Sequence, residues 1–211
     1  MLIPKNNLNS AEKLLLHALN NVDDNYLHMS YARVARGFQR PERAFNAELY
    51  HQLRLIQENR PDNFDFRIHQ ELFKNPGYFH LELNKHPHKL TLIPCIGDYK
   101  VRRISPDIVF HNAHDNLLNQ LLVAEIKMKG SNSNLISKDL KKLLFYKLSY
   151  LSFKNSVFIY TGNKSDLEEK LDLGLTMQML NCLIKNEIVV ALPTKQATAN
   201  KKKWEIFKFH N

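Results

Sequence analysis

The chain has 211 residues, 44% of them hydrophobic and 24% charged, an ordinary composition for a soluble globular protein that excludes a low-complexity chain. No apolar run approaches the roughly 20 residues of a membrane span. Lys plus Arg outnumber Asp plus Glu by 30 to 21, a net charge of +9, which argues for a polyanionic partner, usually nucleic acid; a solvated basic surface that aids solubility is the other reading, and composition alone does not decide between them.

The N-terminal stretch MLIPKNNLNSAEKLLLHALN has no basic n-region followed by a clean apolar run, since Lys13 and His17 interrupt its leucines. No secretion signal is expected, and a cytoplasmic location without membrane contact follows. A helix is predicted from Asn9 to Asn20, with Asn9 as N-cap and Glu12 completing a capping box. A second is predicted from Pro41 to Glu58, where Pro41 suits the first helical position. Phe45, Leu49, Leu53 and Ile56 recur there at helical spacing and mark a buried stripe. FDFRIHQELF, Phe64 to Phe73, alternates as a half-buried strand does. NPGY is a turn signal, and a shorter strand is expected from Tyr78 to Leu83.

Two strand-like segments follow, RRISPDIVF (Arg102–Phe110) and LLVAEIKMKG (Leu121–Gly130), joined by a hairpin loop through HNAHDN. Ser137 is predicted to cap a helix over Lys138–Leu151, Ser156–Tyr160 to form a short strand, and Ser165 to cap a helix reaching Lys185. EIVVAL and WEIFKF read as two closing strands. Strands bracketed by helices in this way predict an α/β fold, a mixed sheet with helices on its faces. The two cysteines, Cys95 and Cys182, lack metal-ligand spacing and are expected as free thiols.

The two central strands carry charges where apolar residues belong. Glu125 and Lys127 are two apart and share a face of their strand, with Cα atoms roughly 6–7 Å apart. Ala124, Ile126 and Met128 point the other way. If the strands pair as a hairpin, Asp107 stands beside Glu125, and two carboxylates meeting in an apolar setting repel and are costly to bury. A divalent cation resolves that conflict. Carboxylate oxygens suit Mg²⁺, with Mn²⁺ as a substitute, because this ion keeps several waters and takes up substrate phosphates. An ammonium at Lys127 beside it can orient water and offset charge on an attacked phosphate.

Pro106-Asp107 followed by Glu125-Ile126-Lys127, with both acids in apolar strands, resembles the PD-(D/E)xK nuclease superfamily of restriction endonucleases and junction resolvases. That resemblance implies a restriction-endonuclease-like core of helix, three strands, helix, strand over about 41–160. An N-terminal helical extension (1–40) and a C-terminal helix with strands (161–211) would complete a single domain. It also implies metal-dependent phosphodiester hydrolysis, with Asp107 and Glu125 as metal ligands and Lys127 as the third catalytic residue. A further acid is expected on the preceding helix, and Glu48, at the edge of the buried stripe, is the candidate. Glu71 is the alternative; Asp62 and Asp65 read as turn residues. Some exonucleases of the superfamily carry Gln-x-x-x-Tyr in the next helix, where this chain has Lys142 and Tyr146, a departure that weighs against that branch.

Basic residues around this site are candidates for nucleic-acid contact: Arg102 and Arg103 leading into the first acidic strand, Lys129, Lys138 and Lys142 after the second, and Arg36 and Arg40 in YARVARGFQRPER. DNA is expected ahead of RNA, and a homodimer is compatible with the sequence. Two alternatives stand beside the nuclease. One is an inactive module of the same fold that binds nucleic acid or a protein partner. The other is a basic interaction protein whose strand acids form buried salt bridges with Lys127 and Arg103.

Overall fold

The computed structural model describes residues 1–28, 33–34, 37–38, 41–74, 77–81, 105–112, 120–149, 151–195 and 202–210. Arg36, Arg40, Arg102 and Arg103 lie outside them, as do the loop through HNAHDN beyond Asn112 and the loop between the closing strands.

The elements run in the order β1 (Leu2–Pro4), α1 (Ser10–Asn21), α2 (Asn25–His28), β2 (Arg33–Val34), β3 (Gly37–Phe38), α3 (Pro41–Asn59), α4 (Phe66–Phe73), β4 (Gly77–Leu81), β5 (Ile108–Asn112), β6 (Gln120–Lys127), α5 (Ser133–Leu148), β7 (Asn155–Tyr160), α6 (Lys164–Gly174), α7 (Met177–Lys185), β8 (Val189–Lys195) and β9 (Lys202–Phe209). Among the described residues, seven strands form one mixed open sheet in the order β1-β9-β8-β7-β6-β5-β4, and β2 pairs only with β3. The β6–β7 and β7–β8 pairs are parallel and the others antiparallel. The protein is therefore α/β. No helix among the described residues is long and apolar enough to cross a membrane.

Alternation of side chains along the central strands divides the core into two layers. Leu122, Ala124 and Ile126 of β6 pack with Leu14 and Leu15 of α1 and with the α3 stripe of Phe45, Leu49, Leu53 and Ile56. Val109 of β5 and Val123 of β6 face the other way, onto Leu140, Leu143 and Leu144 of α5. With both faces covered, β6 and β7 read as nearly continuous apolar runs, as strands of a helix-covered sheet do.

The predicted α1 and α3 agree with the structure. Asn9 caps α1 by accepting from the Glu12 N–H at 3.0 Å, and Glu12 returns an acceptor to the Asn9 N–H at 3.1 Å. The predicted strand over Phe64–Phe73 is corrected to a helix. The Asp65 side chain accepts from the Arg67 N–H at 2.8 Å and caps α4. Leu72 is buried and Ile68, four residues earlier, packs on the same cluster, while Phe66 is exposed. Spacing by four thus decides over the apparent alternation. α5 begins at Ser133, earlier than predicted, because the Asn132 side chain caps it by accepting from the Leu135 N–H. Ser137 is therefore buried inside the helix, and Leu148 in its last turn is exposed. The single helix predicted up to Lys185 is two helices, α6 capped by Asn163 and α7 by Thr176. Cys182 is disulfide-bonded, which corrects the expectation of free thiols at that position; Cys95 lies outside the described residues.

Candidate functional site

The register of β5 on β6 sets the site. Ile108 pairs with Ala124, so one step beyond that pair Asp107 stands opposite Glu125. Its carboxylate is tied across the strands, with Oδ2 accepting from the Ile126 N–H at 2.7 Å. Glu125 is only 1% exposed and lies on the α5 side of β6. Lys127, two residues on, ends the strand on the same side. The site therefore sits at the carboxyl end of β6, where open α/β sheets place ligands.

From β6 the chain turns back quickly. Gly130 has φ 96°, a conformation strained for any residue with a Cβ, and α5 starts three residues later. Asp139, Lys142 and Tyr146 of α5, spaced by three and four, form one stripe of that helix. The stripe lies over Glu125. Lys142 Nζ donates to Glu125 Oε2 at 2.9 Å, and the Tyr146 hydroxyl donates to Oε1 at 2.8 Å. Lys142 also pairs with Asp139 Oδ1 at 2.7 Å. Lys127 Nζ lies 2.9 Å from Asp139 Oδ2, an ion pair without hydrogen-bond alignment. It donates to Glu42 at 3.3 Å and to the Ile126 carbonyl at 3.1 Å.

Burial pushes the Asp107 carboxyl up to about 6, against the lowering effect of the Ile126 N–H and the Lys127 ammonium. Burial, and then the charge of Asp107, push Glu125 well above the ordinary carboxylate range, with Lys142 pulling it back. Burial lowers Lys127, but Asp139 and Glu42 outweigh it and leave that ammonium raised. Lys142 is likewise lowered by burial and raised on balance, by Glu125 and Asp139. Four carboxylates (Asp107, Glu125, Asp139 and Glu42) thus meet two ammonium groups (Lys127 and Lys142).

The structure brings together four residues named from sequence: Asp107, Glu125, Lys127 and Lys142. Glu48 does not join them. Its carboxylate accepts from Gln52 at 2.7 Å, one turn along α3, and the α3 acid that reaches Lys127 is Glu42. Glu71 lies on α4, not on a strand, and accepts from Ser10. Lys142, predicted at the nucleic-acid edge, points into the cluster. Lys129 and Lys138 are exposed beside it. Sequence reasoning missed Glu42 and Asp139. Glu42 continues the α3 stripe of Phe45, Leu49 and Leu53 one turn towards the N-terminus, a spacing visible in the sequence.

Among the described residues no three His, Cys, Asp or Glu side chains are assembled around a metal position. The donor chemistry nonetheless fits Mg²⁺. Glu125, whose carboxyl the charge of Asp107 raises further, needs a counter-charge when ionised, and this ion commonly takes one or two carboxylates and keeps water for the remainder. No family model, no curated protein and no solved structure matches the chain. The chemistry of the site rests on its own geometry.

Proposed function

We propose that the protein is a divalent-metal-dependent nuclease that hydrolyses phosphodiester bonds of nucleic acid, DNA ahead of RNA, with a restriction-endonuclease-like core. The observation that carries this reading is the meeting of Asp107 and Glu125 across β5 and β6, the first half-buried and the second buried, both carboxyls raised, beside Lys127 at the carboxyl end of the strand. Supporting it are the order α3, α4, β4, β5, β6, α5, β7, which has the helix, three strands, helix, strand of that core with α4 inserted after the first helix, and the spacing of Pro106-Asp107 and Glu125-Ile126-Lys127.

Asp107 and Glu125 would hold Mg²⁺ or Mn²⁺. When bound, such an ion supplies Lewis acidity towards a phosphate oxygen and lowers the pKa of water. The chain's own part is positional and electrostatic. The β5–β6 pairing fixes both carboxylates, and the Ile126 N–H orients Asp107. Lys127 keeps its proton at Nζ, where it donates to a phosphate oxygen, orients water and offsets developing charge. Glu42, at 3.3 Å and with its side chain 35% exposed against 4% for Asp139, is the partner a phosphate replaces. Lys129 and Lys138 flank the site as phosphate contacts. Arg36, Arg40, Arg102 and Arg103 belong to the same proposed footprint.

The test is incubation of circular DNA, linear DNA and RNA with Mg²⁺ or Mn²⁺ against a chelator control. Metal-dependent cleavage that disappears in Asp107→Asn is the expected result. A folded protein that cuts none of them with either metal overturns the reading. One observation favours the inactive module of the same fold: Lys127 and Lys142 already have carboxylate partners. That reading predicts nucleic-acid or protein binding that a chelator leaves unchanged.

A further inference from the structure

The Lys142 ammonium sits where a metal ligand set would need open oxygens. Glu125 has both oxygens engaged, one by Tyr146 and one by Lys142. The tyrosine hydroxyl is a neutral donor, whereas Lys142 brings a full positive charge to the carboxylate that Asp107 also repels. Lys142 is held from a second side by Asp139 of its own helix, at 2.7 Å against 2.9 Å to Glu125. Asp139 in turn contacts Lys127. An ammonium displaced from Glu125 thus keeps a partner and stays at the edge of the site.

We infer that Lys142 is the resident counter-cation of Glu125, and that a divalent metal ion and the Lys142 ammonium exchange for Glu125 Oε2. Asp139 retains Lys142 through the exchange as a second phosphate-facing ammonium beside Lys127. This inference rests on the metal-site reading above and adds to it a competitor built into the fold. It makes metal affinity a property of α5 as well as of the two acidic strands. It also gives Asp139 a positioning role, since its two oxygens set both ammonium groups.

The experiment is titration of the full chain with Mn²⁺, followed by the electron paramagnetic resonance signal of the free ion, with no nucleic acid present. Lys142→Met removes the competitor and should bind Mn²⁺ at least about tenfold more tightly than wild type, in the range typical of coupled ligands. Lys141→Met removes the same charge one residue away on the same helix. Screening should keep its effect under about twofold. Lys142→Arg retains the charge with a fork that grips a carboxylate through two bonds, so it should bind the ion more weakly than wild type and stay folded. Should Lys142→Met prove unfolded, the weakening in Lys142→Arg decides alone. Tighter binding by folded Lys142→Met with no comparable gain in Lys141→Met supports the exchange, even where wild type binds too weakly to measure. Binding by wild type that neither Lys142 variant changes overturns the exchange and leaves the metal site standing. No binding by any of the four proteins overturns both.

Discussion

Two charged clusters flank the carboxyl ends of the neighbouring strands β6 and β7, and they are built on different terms. At β7, Tyr160 donates to Asp166, and Lys170 reaches Asp166 Oδ1 at 2.8 Å and the Tyr160 oxygen at 2.7 Å. One acid meets one base, both on α6 and both near water, with side chains 28% and 19% exposed. At β6, Glu125 and Asp139 have side chains 1% and 4% exposed, and four acids share two ammonium groups. The β7 cluster is complete as it stands. The β6 cluster gathers four acids around two ammonium groups and buries two of the acids, a condition stability alone does not favour. Perturbed, desolvated groups in such surroundings mark functional sites.

The largest test of that contrast is catalytic. A protonated amine has no lone pair for a metal, so Lys127→Ala should retain Mn²⁺ binding while cleavage falls by about 10²–10³, the usual cost of losing one charge-stabilising donor. Asp107→Asn should lose metal affinity along with cleavage. If Lys127→Ala cleaves as wild type does, the β6 cluster is no more functional than the β7 one.

Stability separates the clusters next. Asp139→Asn takes one of two carboxylate partners from each of two half-buried ammonium groups and should cost roughly 1–3 kcal/mol in urea unfolding. Equal losses for Asp139→Asn and for its counterpart Asp166→Asn would erase the distinction.

Metal should act on one cluster only, and with a definite pH dependence. Burial raises Asp107 to about 6, so between about pH 4 and 6 the folded protein binds more protons than the unfolded chain. Its metal-free stability contribution is therefore present at low pH and lost as pH rises through 6. A divalent ion needs the ionised form and reverses that loss. Saturating Mg²⁺ should raise the melting temperature more at pH 7.5 than at pH 5.5, by an amount equivalent to about 2.7 kcal/mol at a hundredfold excess over Kd. Asp107→Asn should show neither the gain nor its pH dependence.

Much of this arrangement is legible in the sequence, and the remainder is hidden for physical reasons. The capping box at Asn9 and the α3 stripe are local patterns, and local rules decide them. Phe64–Phe73 misleads because Phe64, Phe66 and Ile68 alternate over its first half, whereas the cap at Asp65 and the spacing of Ile68 and Leu72 make it a helix. The start of α5 hides in SNSN, because Asn132 in a polar run looks like any loop residue until its side chain is seen accepting the Leu135 N–H. Asp107, Glu125 and Lys127 stand out because charge in an apolar strand is anomalous. Asp139 does not, because an acid on a helix is ordinarily solvated. Only the packing of α5 on β6 turns it inward. Glu48 misleads because it neighbours Leu49 in sequence, while Glu42 is the acid on the stripe itself.

The smallest effect belongs to the β7 cluster. What burial Asp166 has raises its pKa, but the Lys170 ammonium and the Tyr160 hydroxyl outweigh it and hold the carboxyl below the ordinary aspartate range. The sign follows directly: the unfolded chain takes up the proton first as pH falls, so the stabilisation is present at neutral pH and lost as pH drops through the depressed value. Because the pair is near water, the gain is that of a surface ion pair, about 0–1 kcal/mol. Asp166→Asn should therefore lower urea-unfolding stability by no more than that at pH 7, and the difference from wild type should vanish in strong acid. Added salt should shrink it further, while Mg²⁺ should leave it unchanged, since this cluster has no charge left for an ion to balance. A loss of several kcal/mol in Asp166→Asn, or a Mg²⁺-dependent one, would place the second cluster in the same class as the first.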